Sequence, residues 1–203
     1  GIETNRFNNI IVSKIQKTNS KVNVELKTIK FKLDFPELGL YLETAKPVIN
    51  YSKVSIPTND IKVYIDFLSI LKSEVRIKKI ILDLDEFNLI QLKKVSLSYF
   101  KPSNITSYLN NKVKKGIFKT KIEVYMDKEN NLDNFIAKGS VTNFKSEIKN
   151  NLILDNSSFE FFADKSDILL KNIFGDIGPI KISEGDLKII FSKEILLESN
   201  FKS

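Results

Sequence analysis

The sequence predicts an antiparallel β-sheet protein with no catalytic centre of its own. Three observations carry that expectation. Apolar residues recur at every second position through most of the chain, turn-forming residues punctuate the runs, and His and Cys are both absent.

The 203 residues allow one elongated domain or two small ones, and a hydrophobic fraction of 42% is too high for a disordered chain. Without His the commonest general base and metal ligand is missing, and without Cys no disulfide or thiolate site can form. The net charge of +7 is carried almost wholly by Lys, because Arg6 and Arg76 are the only arginines. Arginine makes the bidentate contacts to phosphate and guanine, so a sequence-specific nucleic-acid partner is not expected. No run approaches the length of a membrane span. The chain opens at Gly1 rather than Met, and the expectation is that a preceding membrane anchor has been trimmed away.

Residues 5–19 read as a helix, with Phe7, Ile10, Ile11 and Ile15 on one stripe. From Val22 the period becomes two. Val22, Val24 and Leu26 alternate with polar residues, and Ile29, Phe31, Leu33 and Phe35 follow in the opposite parity, which places a bulge near Thr28. Further strands are expected at Leu38–Leu42, at Val54–Ile56 ending on Pro57, and at Ile61–Phe67. A long one runs from Val75 through Leu84 towards Leu89. Pro102 and the N-cap candidate Ser103 open a helix to Val113, with Ile105, Tyr108, Leu109 and Val113 on one face. Alternation resumes at Phe118–Met126, and "DKENN", residues 127–131, is a turn. Strands then centre on Phe135–Val141, Leu152–Leu154, Phe159–Phe161, Ile168–Leu170, Ile180–Ile182, Leu187–Phe191 and Ile195–Leu197. "GDIGP", residues 175–179, and "SEGD", residues 183–186, read as turns between them. The expected organisation is a helical cap over 1–20, a first five-strand unit over 21–98, a crossing helix over 99–115 and a second unit over 116–203.

Nearly every such strand has one apolar and one charged face, and the apolar face must be covered. Two short helices cannot cover a dozen strands. The sheet therefore folds over itself as a closed sandwich, or curls into an open groove filled by an apolar ligand. The short connections and the uniform Ile, Leu, Val and Phe lining favour the groove, since acyl chains need no hydrogen bonds.

"LKTIKFKLDFPELGLYLETAKPVINYSKVSIPTNDIKVYIDFLSILKSEVRIKKIILDLDEFNLIQL", residues 26–92, resembles the N-terminal region of AsmA-like proteins, the TamB and YhdP group. Within it "FLSILKSEVRIKKIILDLDEFNL", residues 67–89, occupies the place of a short family element. "FIAKGSVTNFKSEI", residues 135–148, and "DILLKNIFGDIGPIKISEGDLKIIF", residues 167–191, look like the family's continuing strand repeats. The family is similar in architecture to the chorein-type bridge-like lipid transfer proteins, in which sets of five strands separated by a crossing segment build a taco-shaped groove. The resemblance implies a mainly β, long antiparallel meander curled into an open hydrophobic groove. It also implies phospholipid conduction across the periplasm between inner and outer membranes, and attachment to the inner membrane in the full-length protein. No membrane anchor and no C-terminal domain of the family pattern are seen in this chain. The lining expected to contact acyl chains is Phe31, Leu33, Leu40, Leu42, Val63, Ile65, Leu82, Leu84, Ile122, Val124, Leu187 and Ile189.

Other motifs have plainer readings. Asp83 and Asp85, beside Glu86, form a D-x-D that suits a divalent cation, but on a strand they simply share the solvated face. "DKENNLD", residues 127–133, lacks the Gly and terminal Glu of a calcium loop. Gly175 and Gly178 are not followed by the Lys-Ser or Lys-Thr of a phosphate loop. "NNKVKKG", residues 110–116, is a solvated basic helix end, or a contact for anionic headgroups. No cofactor, no metal and no enzymatic activity are expected, and phospholipids are the expected partners. The alternative is a closed β-sandwich scaffold that binds protein partners without lipid.

Overall fold

A computed structural model of the chain describes residues 2–18, 22–26, 30–34, 39–51, 54–72, 74–94, 103–191 and 195–202. The elements are α1 (Ile2–Thr18), β1 (Val22–Glu25), β2 (Lys30–Asp34), β3 (Gly39–Ala45), β4 (Val48–Tyr51), β5 (Val54–Ile56), β6 (Thr58–Ile65), α2 (Phe67–Leu71), β7 (Ile77–Leu84) and β8 (Phe87–Asn88). They continue with α3 (Leu89–Leu92), α4 (Ser103–Asn111), β9 (Val113–Met126), β10 (Leu132–Lys149), β11 (Leu152–Ala163), β12 (Asp167–Ile177), β13 (Ile180–Phe191) and β14 (Ile195–Lys202).

The protein is mainly β, and every strand pairing described below is antiparallel. Hydrogen-bonded order runs β14-β13-β12-β11-β10-β9-β7-β6-β3-β2, with β8 also on β9. The order is linear, with β14 and β2 at its ends, and is not closed into a barrel. A second sheet of three strands has the order β1-β4-β5. The chain divides into two compact units. The first is Gly1–Asp85 with Lys121–Phe135, and the second is Glu86–Thr120 with Ile136–Ser203. Strands β9 and β10 belong partly to each.

The first half departs from a plain meander. Residues 48–51 make a strand that the sequence reading left out, and it draws β1 and β5 into the separate three-stranded sheet. Beyond Leu84 the long strand stops. Asn88 accepts at Oδ1 from the Ile90 N–H at 2.9 Å, which caps the helical turn α3 where continued strand was expected. The bulge expected near Thr28 lies outside the described residues.

In the first unit, register sets one apolar row across four strands: Leu42 pairs with Val63, Val63 with Ile80, and Ile80 with Val124. A second row is Thr44, Ile61, Leu82 and Ile122. Helix α1 lies over this face through Ile11, which is buried with Leu42, Ile61, Val63, Ile65, Ile77 and Ile80, while Ile15 packs beside them. The opposite face is polar. Tyr41 stacks on Tyr64 at 5.0 Å, the Lys79 ammonium sits 4.5 Å from the Tyr64 ring, and Lys32 pairs with Glu43 at 2.7 Å. Lys32 in consequence holds the Glu43 carboxyl below its ordinary range.

In the second unit β9 to β14 are sequential neighbours, a true meander. It has fewer and longer strands than expected, because two supposed breaks are bulges. The backbone turns left-handed at Asn143, Asn156, Asn172 and Glu184, one residue in each of β10, β11, β12 and β13. Pairing register shifts around all four. An extra residue reverses side-chain parity, so the apolar set 137, 139, 141 becomes 144, 146 on the same face. "SEGD" is therefore a bulge inside β13, whereas Gly178, at φ 56°, and Pro179 make the real turn of "GDIGP".

Candidate functional site

The expected lining residues fall into four groups. Leu42, Val63, Ile65 and Leu84 are buried, with Val63 and Ile65 only 2% and 1% exposed. Leu40 and Val124 share rows with Ile65 and Val63, Leu82 and Ile122 lie in the row of Thr44 and Ile61, and all four are half-buried. Phe31 and Leu33 stand opposite Leu42 and Leu40 in register, but their side chains lie outside the described residues. Leu187 and Ile189 belong to the second unit. In the first unit the face is thus a packed core beneath α1, and the small sheet buries Val24, Ile49 and Tyr51, of which Val24 and Ile49 line a cavity with Ile61, Ile77 and Ile80. The sequence reading gave Val24 its place in a strand, but β4 was missed. Its signal was there, since Ile49 and Tyr51 alternate with Val48 and Asn50 after Pro47.

The cover leaves a cavity of about 190 Å³ in the first unit, bounded by α1, β1 and β4 on one side and β6, β7 and β9 on the other. Its accessible lining atoms are all apolar.

The apolar face of the second unit is covered unevenly. Leu89, Val113, Val141, Phe144 and Leu154 form a buried cluster, joined by Leu92 of α3, Leu109 of α4, Phe159 and Phe161. Phe144 meets Phe159 edge-on at 5.2 Å. Further along the same strands, Gly139, Phe161, Leu170 and Leu187 make one cross-strand row, and Ala163, Ile168 and Ile189 the next. Ile168, Leu170, Leu187 and Ile189 are half-buried and outside that cluster. Phe161, Ile168 and Leu170 lay in recognised strands but were not among the expected lining; continuing the period-two pattern across β11 and β12 would have found them.

On the other face of β10 to β14 lies a polar concavity of about 590 Å³. Its charged groups are held within it. Asn172 donates from Nδ2 to Glu160 at 3.0 Å and from its N–H to Asp186 at 3.3 Å, and Lys202 pairs with Glu184 at 3.3 Å.

The motifs resolve locally. Asp83 lies on the polar face of β7, opposite Asp60 on one side and Lys121 on the other. Burial, then Glu43 and Asp83, push the Asp60 carboxyl above its ordinary range, with Lys62 opposing. Residues 127–131 form a hairpin turn in which the Asp127 carboxylate accepts from the N–H groups of Glu129 and Asn131 at 2.9 and 2.8 Å. Residues 110–116 end α4 and start β9; Lys112 there is paired with Glu147 at 3.1 Å. Among the described residues no group of three or more acidic side chains could hold a metal ion, and no helix is long and apolar enough to cross a membrane. Set against protein-family models, curated proteins and solved structures, the chain matches none.

Proposed function

We propose that this chain is a non-enzymatic lipid-handling module whose second unit takes acyl chains along the apolar face of β11 to β13. The observation that carries the reading is the pair of cross-strand rows through Phe161, Leu170 and Leu187 and through Ala163, Ile168 and Ile189. These rows are aliphatic or aromatic, run perpendicular to the strands, and include four residues left outside the buried cluster. A chain lying along them gains apolar burial and asks for no hydrogen bond. With the AsmA-like resemblance of the sequence, the proposal extends to an open groove that passes phospholipid between inner and outer membranes in the periplasm. The parent protein would there be anchored in the inner membrane.

A scaffold without lipid is the second reading, and one observation favours it. The first unit buries much of its apolar face with Ile11 of its own helix, as a closed module does. Native mass spectrometry of the protein purified from cells separates the two. The lipid reading expects co-purified phospholipid that Leu187→Asp removes from a still-folded protein. Ligand-free wild-type protein, or lipid retained undiminished by the folded variant, overturns it.

A further inference from the structure

The first unit holds a partly open cavity that its described side chains do not fill. About 190 Å³ is more than the roughly 150 Å³ of a dry, aliphatic protein cavity that admits benzene. Water is a poor occupant, because a buried water needs two to four polar partners and the accessible lining offers none. Close-packed interiors rarely keep such space, since every lining atom forgoes dispersion contacts across the gap.

The floor and the rim differ. Val24, Ile49, Ile61, Ile77 and Ile80 are buried at the floor. Lys14, Ile15, Val22, Met126 and Asn130 are half-buried around the rim. The aliphatic stem of Lys14 lines the space while its ammonium belongs to a partly solvated residue. Asn130 is held in place, accepting at Oδ1 from the Ile77 N–H at 3.4 Å. Among the described residues no aromatic ring lines the cavity. The occupant such walls suit is therefore a flexible aliphatic chain, not a flat ring that stacks.

We propose that this cavity binds the end of one short alkyl chain of an amphiphile, tail against Ile49 and Ile80 and polar head in the solvent beyond the Lys14–Asn130 rim. It is a site separate from the face of β11 to β13, and it does not depend on the lipid reading of that face.

The test uses the full chain and 1-hexanol as the probe, followed by calorimetric titration and by amide chemical shifts. Saturable binding is expected, with shifts at Val24, Ile49 and Ile80. Val124→Phe fills the space from β9 and Val22→Phe fills it from β1. Each should weaken hexanol binding at least tenfold while the circular dichroism spectrum is kept. If Val124→Phe fails to fold, Val22→Phe at the half-buried rim decides the matter. Leu187→Asp should leave the hexanol-induced shifts at Val24, Ile49 and Ile80 unchanged, whether or not it removes co-purified phospholipid, so the two sites can fail separately. Non-saturable shifts at those three residues, undiminished shifts there in a folded filled variant, or their loss in folded Leu187→Asp overturns the proposal.

Discussion

The hydroxyl of Tyr108 on α4 lies 2.6 Å from the Oγ of Ser146 on β10, an atom pair rooted in a residue with no exposed surface. Ser146 has one hydroxyl proton, and its Oγ also reaches the carbonyls of Lys112 and Glu147 at 3.2 Å each. Ser146 therefore donates to a backbone carbonyl, and Tyr108 donates to Ser146. The pair ties α4 to the second unit's sheet where Leu109 joins the buried cluster.

Tyr108→Phe and Ser146→Ala should each cost about 1 kcal/mol. Neither leaves a stranded group, since Tyr108 is 40% exposed and the Lys112 carbonyl still accepts from the Glu147 N–H at 2.9 Å. Urea midpoints of the two single variants and the double variant should give a coupling of about 1 kcal/mol. Strict additivity would mean that the contact does not hold the helix.

Val63→Asp places a carboxylate in a site only 2% exposed, among Leu42, Ile61 and Ile80. The expected loss is several kcal/mol, enough to unfold the first unit. Leu187→Asp, on a half-buried row, should cost about 1 kcal/mol. Thermal melts of both variants check the contrast; a Val63→Asp protein as stable as Leu187→Asp would place Val63 on an open surface.

Two glycines sit where a side chain would collide, with different obstacles. A Cβ on Gly139 would fall on the Lys119 carbonyl oxygen and lie 2.8 Å from the Thr120 Cα, both backbone atoms of β9. A Cβ on Gly185 would meet the ring of Phe201, which is 48% exposed and can swing aside. Gly139→Ala should cost about 3 kcal/mol and Gly185→Ala about 1 kcal/mol or less. Equal denaturation midpoints for the two would show that β9 yields as readily as the Phe201 ring.

Asp60 faces Asp83 across β6 and β7, and burial and that like charge raise its carboxyl above the unfolded value. Between the unfolded and folded values the native state binds more protons than the unfolded one. Stability from this group is therefore greatest below about pH 4 and falls as pH rises through the folded value. Asp60→Asn removes that loss. Its stabilisation relative to wild type should grow between about pH 4 and pH 7 in denaturant titrations. A difference that is constant with pH would contradict the assignment.

Much of the fold was legible in the residues, because period two needs only local chemistry. Ile61, Val63 and Ile65 share a face in any antiparallel strand, and their neighbours' parity followed correctly through Leu82 and Val124. The helices α1 and α4 were visible in their apolar stripes for the same reason. Ser103, expected to precede α4 as a cap, instead begins it, and α4 ends at Asn111, so Val113 belongs to β9 and not to the helix face. What covers an apolar face is not a local property. That Ile11 closes over Val63, and that β4 pairs with β1 outside the main sheet, depend on contacts between residues far apart in sequence. The bulges at Asn143, Asn156, Asn172 and Glu184 are likewise tertiary decisions. A left-handed residue is allowed at many Asn positions, and only the pairing of four neighbouring strands selects which ones adopt it. The cavity between α1, β1, β4 and the main sheet belongs to the same class, since it is defined by walls from six separate elements and by nothing in any one of them.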